Sequence, residues 1–288
     1  MEKEILDNYE KARSISDGVI IFSRTLLKEN IRIFDLAEKI EKKIFDLGGK
    51  PAFPVNISIN ENAAHYTPDL NDIIILKEDD LVKVDIGVAV EGYIWDRAFT
   101  VCIGKETHPL IEASEKALQE ALKLIKPGVK IFEISDVVEK TIAEFGFNPI
   151  RNLCGHGLEQ YVQHTGPTIP NGKNTIKEEI KEGQTVAMEV FSTNGAGLVK
   201  ESSPVLIYKF SQERPVRLIE ARKILQKSVE DFDMLPFAKR WLSGITTGAK
   251  LELALRQLVQ IGALTEYPVL KEEANGLVAQ TEETVIVK

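Results

Sequence analysis

The segment RNLCGHGLEQYVQHTG, residues 151–166, carries His156 and His164, two of only four histidines in the chain, within a run poor in apolar periodicity. A pair of imidazoles in a loop can simply be solvated, so their chemistry depends on what joins them. Four acids qualify. Asp85 in VKVDIG and Asp96 in GYIWDRAFTV lie in a stretch that reads as a hairpin with Glu91 and Gly92 at its tip. Counting outward, Val90 opposes Tyr93 and Asp85 opposes Ala98, which makes Asp96 a diagonal neighbour on the same face. Glu189 in TVAMEVFS and Glu282 in VAQTEETVIV are likewise set into strand-like runs. One acid in a strand is more often an outward-facing residue, but four among valines and isoleucines need cations or protons to be tolerated there.

Two divalent ions would balance four carboxylates, and one imidazole such as His156 would complete a five-residue site. The set is rich in oxygen, with one nitrogen and no thiolate, which suits manganese, iron(II) or cobalt and admits zinc. Calcium-loop, Walker A, HExxH and GxSxG patterns are absent. A metal-activated water is therefore the nucleophile this sequence offers.

The elements that must position these residues are legible in outline. Ile5, Tyr9, Ala12, Ile15 and Val19 set a helical rhythm, and a second segment, DLAEKIEKKIFDLGGKP, ends at Gly48 and Gly49. Two further amphipathic helices run through Leu110 to Leu124 and Ile131 to Ile142, separated by Pro127 and Gly128. LVKVDIGVAV, YIWDRAFTVCIG, GQTVAMEVFS, SPVLIYKF and GLVAQTEETVIV read as strands. From about 215 to 265 the pattern turns helical again, through RLIEARKILQKSVEDF, LPFAKRWL and AKLELALRQLVQIGAL, as an insertion between two strands. KEDDLVKVDIG and KEGQTVAMEVF each place an acid eight positions after their first lysine, Asp85 and Glu189. Each then continues through a glycine to another acid, Gly92 to Asp96 and Gly197 to Glu201. A duplicated half-domain would produce this pattern.

Composition bounds the rest. At 288 residues and 43% hydrophobic content the chain can bury a substantial core, and a net charge of −8 argues against a dominant nucleic-acid surface. No apolar run reaches the roughly 18 residues a membrane span needs, and the charged N-terminus lacks a signal-peptide pattern. The expected location is cytoplasmic, where Cys102 and Cys154 stay as thiols.

NAAHYTP, VKVDIG with GYIWDRAFTV, NLCGH, the QHTG that follows, AMEVF and AQTEETVIV together resemble the ordered signature of the methionine aminopeptidases, over about residues 5–288. These belong to the wider fold family that includes prolidase and creatinase. The resemblance implies an α/β (α+β) pita-bread fold with a pseudo-twofold axis, a curved antiparallel-rich central sheet holding the metals, and helices outside. The long stretch between Glu189 and Glu282 resembles the insertion of archaeal-like type 2 enzymes. It implies a catalytic domain of residues 1–208 and 269–288 and an insertion of residues 209–268. Asp85, Asp96, His156, Glu189 and Glu282 would be the metal ligands, with Glu189 also moving a proton. His164 would contact the scissile peptide group, and His65 would stand near the substrate's N-terminal end. The implied methionine pocket comprises Phe53, Tyr267 and His65, with Ile207 and Phe237.

The substrate so implied is the N-terminal methionine of a nascent polypeptide with a small second residue, cleaved by a monomer, with contact to the ribosome open. Two alternatives stand beside this reading: a non-catalytic relative binding RNA or the ribosome, and an Xaa-Pro or other-specificity aminopeptidase. The chain departs from the family pattern at Val190 and Glu283, where relatives often have proline and histidine, and at Trp95 and Arg97. Glu283 is expected to add negative charge, and Trp95 to alter packing, beside the metals.

Overall fold

The computed structural model describes residues 2–288. Helix α1 (Lys3–Leu26) buries Tyr9, Ala12, Ile15 and Val19, and α2 (Ile33–Asp46) buries Ile33, Leu36, Ala37, Ile40 and Ile44, each the three-and-four spacing of one helical stripe. After α2, Gly48 takes a φ of 86°, the left-handed conformation that ends a helix cheaply. Short strands β1 (Lys50–Pro51), β2 (Asn56–Ile59) and β3 (Asn62–Ala64) lead to β4 (Leu81–Val90) and β5 (Tyr93–Cys102). The β4–β5 turn places Glu91 at φ 49° and Gly92 at φ 80°, as a two-residue hairpin requires. Val90 pairs with Tyr93 and Asp85 with Ala98, the register counted from the sequence.

A second helix pair follows, α3 (Pro109–Leu124) and α4 (Ile131–Glu144), then strands β6 (Asn148–Pro149), β7 (Cys154–Glu159), β8 (Val162–Pro170) and β9 (Thr185–Thr193). Beyond them come β10 (Val199–Phe210), α5 (Ile219–Glu230), β11 (Phe237–Ala238), α6 (Gly248–Gln260), β12 (Leu264–Glu272) and β13 (Val278–Ile286). The main sheet runs β1-β4-β5-β13-β9-β7-β8, with antiparallel neighbours throughout. Val84, Ile86 and Val88 of β4 pack under α1 and α2, while Val186, Met188 and Val190 of β9 pack under α3 and α4. Helix pair and strand pair thus occur twice, about a seam between β5 and β13. This is the curved, pseudo-twofold pita-bread arrangement.

At the seam only Glu282 with Ala98 and Glu283 with Arg97 pair directly. On either side a threonine takes over. Thr284 Oγ1 accepts from Asp96 N at 2.9 Å and donates to Asp96 O at 2.8 Å, and Thr100 Oγ1 accepts from Gln280 N at 2.8 Å and donates to Gln280 O at 2.7 Å. Asp85 and Glu189 occupy equivalent strands, as the repeat implies, but the equivalence does not extend to Glu201. That residue is exposed on β10 and pairs with Leu270 of β12, whereas the strand equivalent to β5 is β13. Where β4 reaches β5 through two residues, β9 reaches β13 through the whole insertion.

The insertion is built on a second sheet, β11-β10-β12-β3. One face, with Tyr208, Phe237 and Leu264, is covered by Ile224 of α5 and Leu251, Leu255 and Leu258 of α6; the other carries Ile207, Val269 and Tyr267. LPFAKRWL is not the helix its composition suggests. Phe237 pairs with Tyr208, and only Lys239–Leu242 form a single 3₁₀ turn. Tertiary contacts override propensity here, because the buried Arg240 guanidinium must reach Glu41 and Glu38 of α2 and the Thr67 hydroxyl.

Helix α3 begins on an unusual cap: Leu110 N donates to His108 Nδ1 at 3.2 Å, ahead of Pro109 in the first turn. Burial, and secondarily the Lys105 ammonium, push the His108 imidazole below its ordinary pKa. Protonation would remove the accepting lone pair. The cap therefore stabilises the fold fully above the unfolded histidine value of about 6.5 and is lost as pH falls through the lower folded value. His108→Asn keeps an acceptor that does not titrate. The variant should lose about 2–4 °C less than the parent between pH 7.5 and pH 5, as a cap worth about 1 kcal/mol implies; equal losses in a melting experiment would discount the cap.

Candidate metal centre

Residues two apart on a strand share a face, so the registers lay the predicted residues out in rows across the concave side of the sheet. The middle row is Asp85, Ala98, Glu282 and Glu189, on β4, β5, β13 and β9. One row toward the hairpin tip stand Asp96, opposite Gly87, and His156, opposite Ala187. Five predicted ligands from five strands therefore converge, with the small side chain of Ala98 leaving room at the centre. Gly87 is required for another reason. A Cβ there would sit 2.3 Å from the Phe53 ring, which lies over β4 beside the acids.

Ligating atoms of Asp96, His156 and Glu282 all lie within 4.8 Å of one another. His156 Nε2 is 3.7 Å from Glu189 Oε1. Asp96, His156 and Glu282 are 2%, 7% and 4% exposed, whereas Asp85 and Glu189 keep part of their surface open and so line the accessible side. Asp85 Oδ1, Asp96 Oδ1 and Glu282 Oε1 are buried without a hydrogen-bond partner. Buried oxygens of this kind ordinarily find one, and a cation would supply it. His156 Nδ1 lies 3.2 Å from Gly157 O, which fixes the proton on Nδ1 and leaves the Nε2 lone pair free, as a ligating histidine needs.

Electrostatics agree. Burial drives the Asp85 carboxyl up to about 7. Burial first, and then the charges of the neighbouring carboxylates, raise Asp96, Glu189 and Glu282 well above the carboxylate range. Without cations the cluster holds protons it would otherwise shed. Burial lowers His156 to about 4, so its approach to Glu189 is that of a neutral imidazole and not an ion pair.

His164, on β8, meets His156 edge to face with ring centroids 4.4 Å apart, and stands 6.3 Å from the Tyr267 ring. Burial, followed by the charges of His156, His65 and Lys209, lowers it to about 3, so it too is neutral near pH 7. His65 adopts a φ of 64°, rare for a side chain of its size, with Nδ1 3.1 Å from Pro268 O and its ring 5.5 Å from Tyr267. His65, His164 and Tyr267 thus form one group beside the acids, with Ile207 paired to Tyr267. Phe237 is not brought there. It is fully buried in the insertion core, stacked 5.0 Å from Phe232 and 6.3 Å from Tyr208.

The expectation that Trp95 packs beside the metals is corrected, and that for Glu283 changes in its geometry. Trp95, Arg97 and Glu283 alternate with the ligands and so point to the convex face. There Trp95 Nε1 donates to Glu283 Oε1 at 3.2 Å, Arg97 Nη2 pairs with Glu283 Oε2 at 2.8 Å, and Arg97 also reaches Asp17 of α1. Arg97 offsets part of the Glu283 charge on that face, yet after burial and the neighbouring carboxylates Glu283 still helps to raise the Glu282 carboxyl, so the added negative charge is felt at the acids while Trp95 packs away from them. Val190 is a core residue under α3 and α4. One residue escaped the sequence reading: Gln280, with Nε2 3.5 Å from both Asp85 Oδ2 and Glu189 Oε2, sits two positions before Glu282, and that spacing was the available signal.

Residues 7–287 match the model of metallopeptidase family M24. The chain is 48% identical over 280 residues to a methionine aminopeptidase of Thermococcus onnurineus, covering 97% of this chain and 94% of that one. Among solved structures, a thermophilic Arx1 superposes with TM-score 0.87 at 17% identity, covering 99% of this chain and 88% of that chain. A methionine aminopeptidase of Thermotoga maritima superposes with TM-score 0.72 at 20% identity, covering 100% and 94%. At such identities the two structures speak to the fold alone.

Proposed function

Because the chain belongs to metallopeptidase family M24 and is a metalloaminopeptidase that removes N-terminal methionine, we propose that Asp85, Asp96, His156, Glu189 and Glu282 hold its divalent ions. The observation that carries this reading is the convergence of four buried or half-buried carboxylates, three with unpartnered oxygens, on one free imidazole nitrogen. Two ions match that donor set, with manganese, iron(II) or cobalt preferred and zinc admitted. When bound, such ions would polarise the scissile carbonyl and lower the pKa of an attacking water.

The chain's own residues supply the remainder. Glu189, on the accessible side, accepts the proton of the attacking water and returns it to the leaving amine. His164 is neutral and donates one N–H toward the oxygen of the scissile peptide group, where negative charge develops. His65 is held by Pro268 O and, with Tyr267 and Phe53, walls an apolar recess for the methionine side chain. Gln280 spaces Asp85 from Glu189.

The natural substrates in this proposal are nascent polypeptides with a small second residue, cleaved in the cytoplasm by a monomer in which residues 1–208 and 269–288 form the catalytic part and 209–268 the insertion. No helix among the described residues is long and apolar enough to cross a membrane. A ribosome- or RNA-binding relative without activity would have no use for five intact ligands. The discriminating experiment is mass spectrometry of peptides beginning Met-Ala, Met-Gly, Met-Lys, Leu-Ala and Ala-Pro, with protein loaded with manganese, iron(II) or cobalt. Release of methionine from Met-Ala and Met-Gly only is expected. Cleavage of Ala-Pro would move the chain to the prolidase side, and no cleavage with any metal would leave the binding-protein reading.

A further inference from the structure

The second sheet has two faces with different fates. Tyr208 and Phe210 of β10 point into the insertion core, so Ile207 and Lys209 point the other way, toward the group that contains Tyr267, His65 and His164. Ile207 pairs with Tyr267 and Lys209 with Thr265, with no irregularity between them. Lys209 therefore stands one row outward from Tyr267, about 7 Å along the strand, on the same face. The His164 ring stands 6.3 Å from that of Tyr267, so the row that carries Lys209 borders the same group. The side chain is half-buried, forms no ion pair with a carboxylate among the described residues, and has its pKa lowered by burial. Other cations drawn into the fold are compensated in different ways: Lys83 has three carbonyls, Lys239 has Asp69 and Glu252, Arg240 has Glu38 and Glu41, and Arg24 and Lys43 lie over the Phe99 and Phe22 rings.

A desolvated cation without a counter-charge at the rim of a peptide-binding site is poised for an anion carried by the substrate. We propose that Lys209 is a specificity-determining residue that takes a substrate carboxylate, either an acidic side chain at the third or fourth residue or the free C-terminal carboxylate of a short peptide. The inference rests on the aminopeptidase site described above. Lys209 reaches past the reacting atoms, so its effect falls on KM and leaves kcat unchanged.

The test uses the metal-loaded enzyme and amidated peptides Met-Ala-Xaa-Ser-Ser and Met-Ala-Ser-Xaa-Ser with Xaa as Glu, Ser or Lys, together with Met-Ala-Ser as free acid and as amide. The parent should show a KM roughly fivefold lower for Glu than for Ser in one series, or for the free acid than for the amide, as a partly screened ion pair gives. Which pair responds identifies the source of the carboxylate. Lys209→Met, which keeps the stem and removes the charge, should abolish the preference with kcat for the Ser peptides intact, and Lys209→Arg should restore it. An equal preference in Lys209→Met, or no preference in the parent for either carboxylate, overturns the proposal. Failure to cleave even the Ser peptides would instead overturn the reading of the site itself.

Discussion

Replacing Glu189 by glutamine is expected to lower kcat/KM for a Met-Ala peptide by at least about a thousandfold while leaving the metal-free protein no less stable than the parent. A positioned general base alone contributes roughly a hundred- to ten-thousandfold, and Glu189 is also a proposed ligand. The stability half follows from the same geometry. Glu189 shares a buried cluster with Asp85, Asp96 and Glu282, whose charges oppose one another in the absence of cations. A neutral amide of the same shape relieves part of that opposition, the trade between activity and stability common at functional sites. Activity of the variant above a tenth of the parent's would remove Glu189 from the proposed chemistry, and a metal-free melting temperature several degrees lower would show that its charge is structurally compensated.

Metal removal should have the second large effect. Ions that bind only the folded state at a thousandfold over their dissociation constant add about 4 kcal/mol of stability. For a chain of this length that is roughly 8–16 °C in melting temperature. Chelation should therefore lower the melting temperature by that amount, and readdition of manganese or cobalt should restore it together with activity. Asp96→Asn and Glu282→Gln should each shrink the metal-dependent increment, because both remove a buried oxygen with no other partner. A metal-independent melting curve in the active protein would count against the five-residue site.

The part of this architecture visible in the sequence is the part built from regular periodicity. The β4–β5 register could be counted from Glu91 and Gly92 because a two-residue turn fixes pairing. Helices α1 to α4 announced themselves through apolar stripes. The β7–β8 hairpin did not, although it carries His156 and His164. Its interior is Gly155, Gly157 and Gly166 with polar residues between, and the glycines are there for close approach: a Cβ on Gly157 would lie 2.1 Å from Gly166 O, and one on Gly155 2.8 Å from Ala187 O. A strand specified by contact distance leaves no alternation to read. The short β11 was hidden for a different reason, since Arg240 answers to Glu41, 199 positions away, and Phe237 to Tyr208 on β10, and helix propensity is a weak prior against them. Glu283 shows the limit of reading position as role. Adjacent to Glu282 in sequence, it lies on the opposite side of the sheet.

The seam between β5 and β13 also dictates the order in which this protein can come into being. The two halves of the main sheet meet only through β13, the last of its strands to be translated, held to β5 by two residue pairs and two threonine hydroxyls. The helix pair and hairpin of the first half close shorter loops, whereas β13 must close one back to β5 that spans most of the chain. Catalytic competence is therefore withheld until β13 is free to insert, because Glu282 arrives on that strand.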